Sequence, residues 1–227
     1  MTDPQNAVDV VVRLNGLAGG LFLLTAFGMI AMRQVLGCLN LFVLQSVLLA
    51  ASAMMLGYNH VSTHLFVVAA ITLGMKCILI PWLLSRTVRQ EVYTRREISQ
   101  VLNIPTSLLL GMALVILAYF ITSSLVSAGE DAFVKINLPV GMAGVLLGAH
   151  AVVVRREAVP QVMGLLAMEN GALFAGVCIA SDLPIIAELA AAFDVLIIAL
   201  VTGLLTRRIR ERAGTTAVGR MAALKEE

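Results

Sequence analysis

Seven apolar runs follow one another along the chain: Leu14–Met32, Leu36–Leu56, His64–Leu84, Pro105–Ser127, Leu138–Val154, Ala158–Ala180 and Pro184–Thr206. A helix rising 1.5 Å per residue needs about 20 residues to cross a hydrocarbon layer about 30 Å thick, and these runs are of that order. Only 13% of the 227 residues are charged, roughly half of what a soluble domain carries. The mean hydropathy of +0.94 agrees. A soluble fold is therefore set aside. The expected fold is all-α: a polytopic integral membrane protein with seven transmembrane helices. Pro105, Pro139, Pro160 and Pro184 each fall in a first turn, where the missing N–H costs nothing and the fixed φ helps start the helix. Pro81 lies inside the third run and is expected to kink it about one turn beyond Lys76.

The basic residues orient the chain. Arg33, the Arg86, Arg89, Arg95 and Arg96 loop, Arg155 with Arg156, and the tail with Arg207, Arg208, Arg210, Arg212, Arg220 and Lys225 share one side if there are seven spans. The other side has only Arg13 and Lys135. This places the N-terminus outside and the C-terminus in the cytoplasm. The polar stretch Met1–Asp9 lacks the basic start and cleavage site of a signal peptide. Runs one to three and runs five to seven share a pattern of helix, short basic turn, helix, short turn, helix ending in basic residues. One intervening span keeps both triplets in the same orientation, which makes this a parallel repeat. The resulting division is a three-helix unit with its basic loop (1–103), a connecting helix and outer loop (104–138), a second three-helix unit (139–210) and a cytoplasmic tail (211–227).

Three ionisable residues interrupt the apolar runs near mid-depth: Lys76 in the third, Glu169 in the sixth and Asp194 in the seventh. A charge at that depth costs several kcal/mol (roughly 3 on insertion scales) unless it pairs, neutralises or faces water. The sixth and seventh runs are joined by a short turn, so they are antiparallel neighbours with their carboxylates at similar height. Burial and a second carboxylate favour a protonated acid; a nearby ammonium favours the ionised one. Such a group exchanges protons as its neighbours change, with no covalent step. The rival reading is structural, with the charges pinning helices together. Glu188, one turn in from the outer face, serves either as a path entrance or simply reaches the interface. His150, one turn from the cytoplasmic end of run five, either hands protons inward or packs. Gln45, Asn40 and Asn170 are candidates for hydrogen bonds between helices, with Gln45 and Asn170 as secondary path residues.

Other features carry less chemistry. Gly141, Gly144 and Gly148 form a small-residue stripe that lets a partner helix approach closely. The Gly16–Gly20 stretch has no preceding strand and is not a nucleotide loop. His60 and His64 are four apart but have no third ligand nearby in sequence. Cys38, Cys77 and Cys178 are scattered singly, which reads as free, packed thiols without a metal site. No nucleophile–base pair is evident, so the chain is not expected to be an enzyme on its own.

The stretches MGLLAMENGALF (Met163–Phe174) and AAAFDVLIIALVTGLLTRR (Ala190–Arg208) resemble the second and third helices of the K subunit of NADH–quinone oxidoreductase. Each of those helices carries a buried glutamate in that family. Glu169 falls on the first; Asp194 falls on the second and is shorter by one methylene. Over most of its length the chain more closely resembles hydrogenase-4 component E, a membrane subunit of group 4 nickel–iron hydrogenase and formate hydrogenlyase-type complexes. The resemblance implies two K-subunit-like three-helix units joined by one extra helix. It implies a bacterial or archaeal cytoplasmic membrane and a complex I-like assembly. The expected partners are antiporter-like membrane subunits, a quinone-oxidoreductase-like anchor subunit and the lipid bilayer, with no nucleic acid. Nickel–iron and iron–sulfur centres are expected in those partner chains and no cofactor in this one. Glu169 and Asp194 then belong to a proton-translocation axis, with Lys76 as the counterpart in the first triplet. A non-conducting spacer subunit and a subunit of a multisubunit cation/proton antiporter stand as alternatives.

Overall fold

In the computed structural model the described residues are 4–82, 84, 98, 100–126, 131–179, 196 and 203. The first six apolar runs are helical. They form α1 (Pro4–Ala31), α2 (Val35–His60), α3 (Thr63–Thr72), α4 (Ile104–Ser123), α5 (Ala132–Val154) and α6 (Ala158–Ile179). A π-helical segment, Leu73–Leu79, carries α3 onward, so that Thr63–Trp82 is one continuous span. Among the described residues six stretches are thus long and apolar enough to cross a membrane. Of the seventh run only Leu196 and Gly203 are described, and both are helical. The rest of that run, with Glu188 and Asp194, lies outside the described residues. So do Pro184, the whole Arg86–Arg96 loop and the basic tail.

One expectation about proline changes, and a second gains a local cause. Pro139 is not in a first turn but well inside α5. The helix begins earlier because Asp131 caps it, its carboxylate accepting from the Phe133 N–H at 3.2 Å. Lys135 and Asn137 interrupt the apolar pattern and had masked this first turn. Pro81 acts upstream of itself. Its ring crowds the carbonyl four residues back and offers no N–H. The chain widens before it, and the Ile80 N–H reaches the Met75 carbonyl, five residues back. Lys76 sits inside this widened coil.

The closest packing joins α5 to α6, and it is glycine that permits it. A methyl group at Gly148 would collide with the Met168 backbone, and one at Gly171 with the backbone of Val145. The expected small-residue stripe therefore meets α6, which answers it with glycine of its own. α1 lies against α2 and α5, and its Phe22 stacks on Phe174 of α6 with ring centroids 4.6 Å apart. α2 also packs on α3, the π-helical segment and α6. α4 rests on α5 and α1 and turns Leu109, Met112, Ile116 and Phe120 outward, a composition suited to acyl chains.

Arg155, counted among the orienting charges in the turn after the fifth run, is not a loop charge in water. Its side chain is buried, donating to the Pro160 carbonyl at 2.8 Å, the Met29 carbonyl at 2.6 Å and Cys38 Sγ at 3.2 Å. Met29 lies in the last turn of α1, where carbonyls have no partner within the helix, and a guanidinium supplies one. One residue therefore ties together the ends of α1, α2 and α6. Its neighbour Arg156 is exposed.

Candidate functional site

Lys76 and Glu169 meet. The Nζ–Oε1 distance is 3.1 Å, with side chains only 2% and 15% exposed. Each lies near the middle of its span, about 20 Å and 17 Å from the respective helix starts at 1.5 Å per residue. Two local features aim them at each other. The π-helical segment contains Lys76 and sets its direction away from the regular 100° helical progression. On α6, Met168 and Gly171 are held against α5, which fixes the helix's rotation and turns Asn170 toward α2.

The ion pair continues into a string of hydrogen bonds. Lys76 Nζ donates to Asn170 Oδ1 at 3.1 Å. Asn170 Nδ2 donates to Ser46 Oγ at 3.0 Å and to Gln45 Oε1 at 3.3 Å. Ser46 Oγ donates in turn to the Phe42 carbonyl at 3.0 Å. All four of Lys76, Asn170, Gln45 and Ser46 are buried. A buried ammonium with a carboxylate and an amide oxygen beside it is much better satisfied than a lone charge in an apolar helix. Chemically, the arrangement has an amine and a carboxyl that can hold a proton or hand one on.

Of the residues singled out from sequence, Lys76, Glu169, Asn170 and Gln45 come together. His150 does not join them; it lies beside the backbone of Ser107 on α4. Asn40 is exposed on α2 and ties no described helix to another. His60 pairs with Asp131 at 3.0 Å, and no group of three or more His, Cys, Asp or Glu converges as a metal site among the described residues. The three cysteines are free thiols.

Sequence reasoning missed a second buried polar cluster. Asn15 Nδ2 donates to Asn137 Oδ1 at 2.7 Å, Asn137 Nδ2 donates to Ser52 Oγ at 3.0 Å, and Ser52 Oγ donates to Asn15 Oδ1 at 2.6 Å. The ring closes across α1, α2 and α5 with every member buried. The signal was present: Asn15 and Asn137 are amides that the helices carry into their apolar stretches. Asn137 escaped notice because the fifth run was started one residue after it.

Comparison with known proteins gives consistent relatives. The chain is 30% identical over 210 residues to the uncharacterized protein Rv0085 of Mycobacterium tuberculosis, covering 92% of this chain and 94% of that protein. It is 28% identical over 220 residues to hydrogenase-4 component E of Escherichia coli, covering 93% of this chain and 97% of the relative. The same protein of Shigella flexneri matches with the same figures. No family model matches the chain, and no solved structure matches it significantly.

Proposed function

Since the chain belongs to the hydrogenase-4 component E family, we propose that it is a membrane-arm subunit of a complex I-like hydrogenase of the hydrogenase-4 or formate hydrogenlyase kind. It contributes buried charges to that complex's proton-translocation axis. The observation that carries the reading is the Lys76–Glu169 pair, enclosed at mid-span between α6 and the π-helical segment. Ionisable groups kept at such depth mark proton and ion pathways more often than they mark packing. In this reading Asp194 is the next carboxylate of the axis, and Glu188 and His150 stand toward its two ends. Antiporter-like and quinone-oxidoreductase-like subunits flank the chain in a bacterial or archaeal cytoplasmic membrane, its C-terminus on the cytoplasmic side. The hydrogen chemistry, with its nickel–iron and iron–sulfur centres, belongs to partner chains.

The test uses the parent complex in proteoliposomes carrying Glu169→Gln or Lys76→Met. Hydrogen turnover with an artificial electron acceptor is measured beside proton movement. Turnover stays near wild type, while proton movement falls at least about tenfold, equivalent to about 1.4 kcal/mol on the limiting step. Full proton movement in both variants overturns the proposal. The reach of the hydrogen-bond string from α6 to α2 favours one rival, a spacer subunit whose charges only pin helices. In that case both variants lose assembled complex on a native gel, and the complex that remains moves protons normally.

A further inference from the structure

Every bond in the string beyond Lys76 points the same way. The ammonium has only hydrogens to offer, so the Asn170 amide must present Oδ1 to it. The Asn170 Nδ2 is thereby turned toward α2, where it meets two oxygens, Ser46 Oγ and Gln45 Oε1. The Ser46 hydroxyl has accepted and so donates onward to the Phe42 carbonyl. The sense of each bond is dictated by the one before it, back to the charge on Lys76. Linked bonds of one sense polarise one another and strengthen the bond at the charged end. Asn170 is fully buried, with its amide held at both ends, and cannot turn away without leaving an orphaned donor or acceptor.

We propose that Asn170 is the positioning residue of the buried ion pair: its Oδ1 holds the Lys76 ammonium against Glu169 as a second fixed acceptor, and Ser46 and Gln45 serve only to turn the amide so that its oxygen, not its nitrogen, faces the charge. The inference rests on the proton-axis reading for its functional consequence, but its structural content stands apart from it. Lys76 lies on a π-helical segment, where the usual side-chain directions do not apply, and a long flexible ammonium placed there has many rotamers. Glu169 alone offers it one fixed point; Asn170 offers a second. Two acceptors on adjacent residues of one rigid helix confine the ammonium to a single place. Gln45 and Ser46 act one step further out, on the orientation of the amide.

Two substitutions separate positioning from simple adhesion between helices. Asn170→Asp keeps an oxygen facing Lys76 and gives up the donors to Ser46 and Gln45. Asn170→Leu keeps the shape and gives up both. If Asn170 served only to join α6 to α2, the two variants would be equally damaging. As a positioning residue it is largely rescued by aspartate. Expected proton movement per hydrogen turned over is within about twofold of wild type for Asn170→Asp and at least about tenfold lower for Asn170→Leu, the size of effect that losing a hydrogen bond to a charged group has on an equilibrium.

The second measurement is the distance between Lys76 15Nζ and the Glu169 13C carboxyl, read by solid-state NMR on the full chain in lipid. The three lysines of the sequence make the signal assignable. The short distance survives in Asn170→Asp and lengthens or becomes distributed in Asn170→Leu and, to a smaller degree, in Ser46→Ala. An unchanged distance in Asn170→Leu overturns the proposal, as does equal damage by both Asn170 substitutions. If Asn170→Leu fails to assemble, Asn170→Asp and Ser46→Ala still decide it, since a lengthened distance in the aspartate variant refutes positioning. Should Lys76→Met and Glu169→Gln leave proton movement intact, the proton-axis reading fails, and the NMR distances still judge Asn170 alone.

Discussion

A double-mutant cycle on Lys76 and Glu169 probes the centre of the molecule directly. The variants are Lys76→Met, Glu169→Leu and the two combined. At 3.1 Å two unit charges attract by about 5 kcal/mol with an effective dielectric near 20. Removing one partner leaves a charge with a side chain only 2% or 15% exposed, at a cost of about 3–5 kcal/mol. The second substitution then adds no further cost, because it removes the charge that the first left unpaired, so the coupling is of the order of one single-substitution cost. The coupling energy is therefore expected to be about 2–4 kcal/mol, reduced from the full Coulomb value because Asn170 goes on solvating Lys76 when Glu169 is lost. The assay is reversible unfolding of the full chain in lipid bicelles, comparing the four proteins under one condition. Ordinary hydrogen bonds between membrane helices average about 0.6 kcal/mol in such cycles. A coupling at or below that level would refute the reasoning, because it would mean that the two side chains do not share a desolvated contact.

Two further perturbations test how the fold holds that contact in place. Gly171→Ala should be strongly destabilising, by at least about 2 kcal/mol, because the added methyl meets backbone that must move; Gly20→Ala, with nothing within 4 Å, should stay within about 0.5 kcal/mol of wild type or gain slightly, read as thermal unfolding in detergent. Arg155→Met should cost about 2–4 kcal/mol, since it strands the Met29 carbonyl, and Arg155→Lys should recover only part of this because an ammonium lacks the fork that spans two carbonyls. The exposed Arg156→Met serves as control and should be near neutral in the same unfolding assay.

Much of this protein was determined by linear pattern. A run of some twenty apolar residues has few options in lipid, so the first six helices and their order were legible. The depth of Lys76 and Glu169 follows from counting, because a helix converts residue number into height. The Gly141, Gly144 and Gly148 stripe was legible for the same reason, since spacing alone puts the three on adjoining faces. What sequence does not carry is the rotation of each helix about its own axis. That rotation decides that Glu169 meets Lys76, that Asn170 links the pair to α2, that Asn40 faces away and that His150 turns to α4. It is settled by contacts between helices, chiefly the glycine seam of α5 and α6 and the widening forced ahead of Pro81. Arg155 shows the same limit: composition places a basic residue at a helix end, but only the three-dimensional arrangement reveals unpaired carbonyls there for it to satisfy.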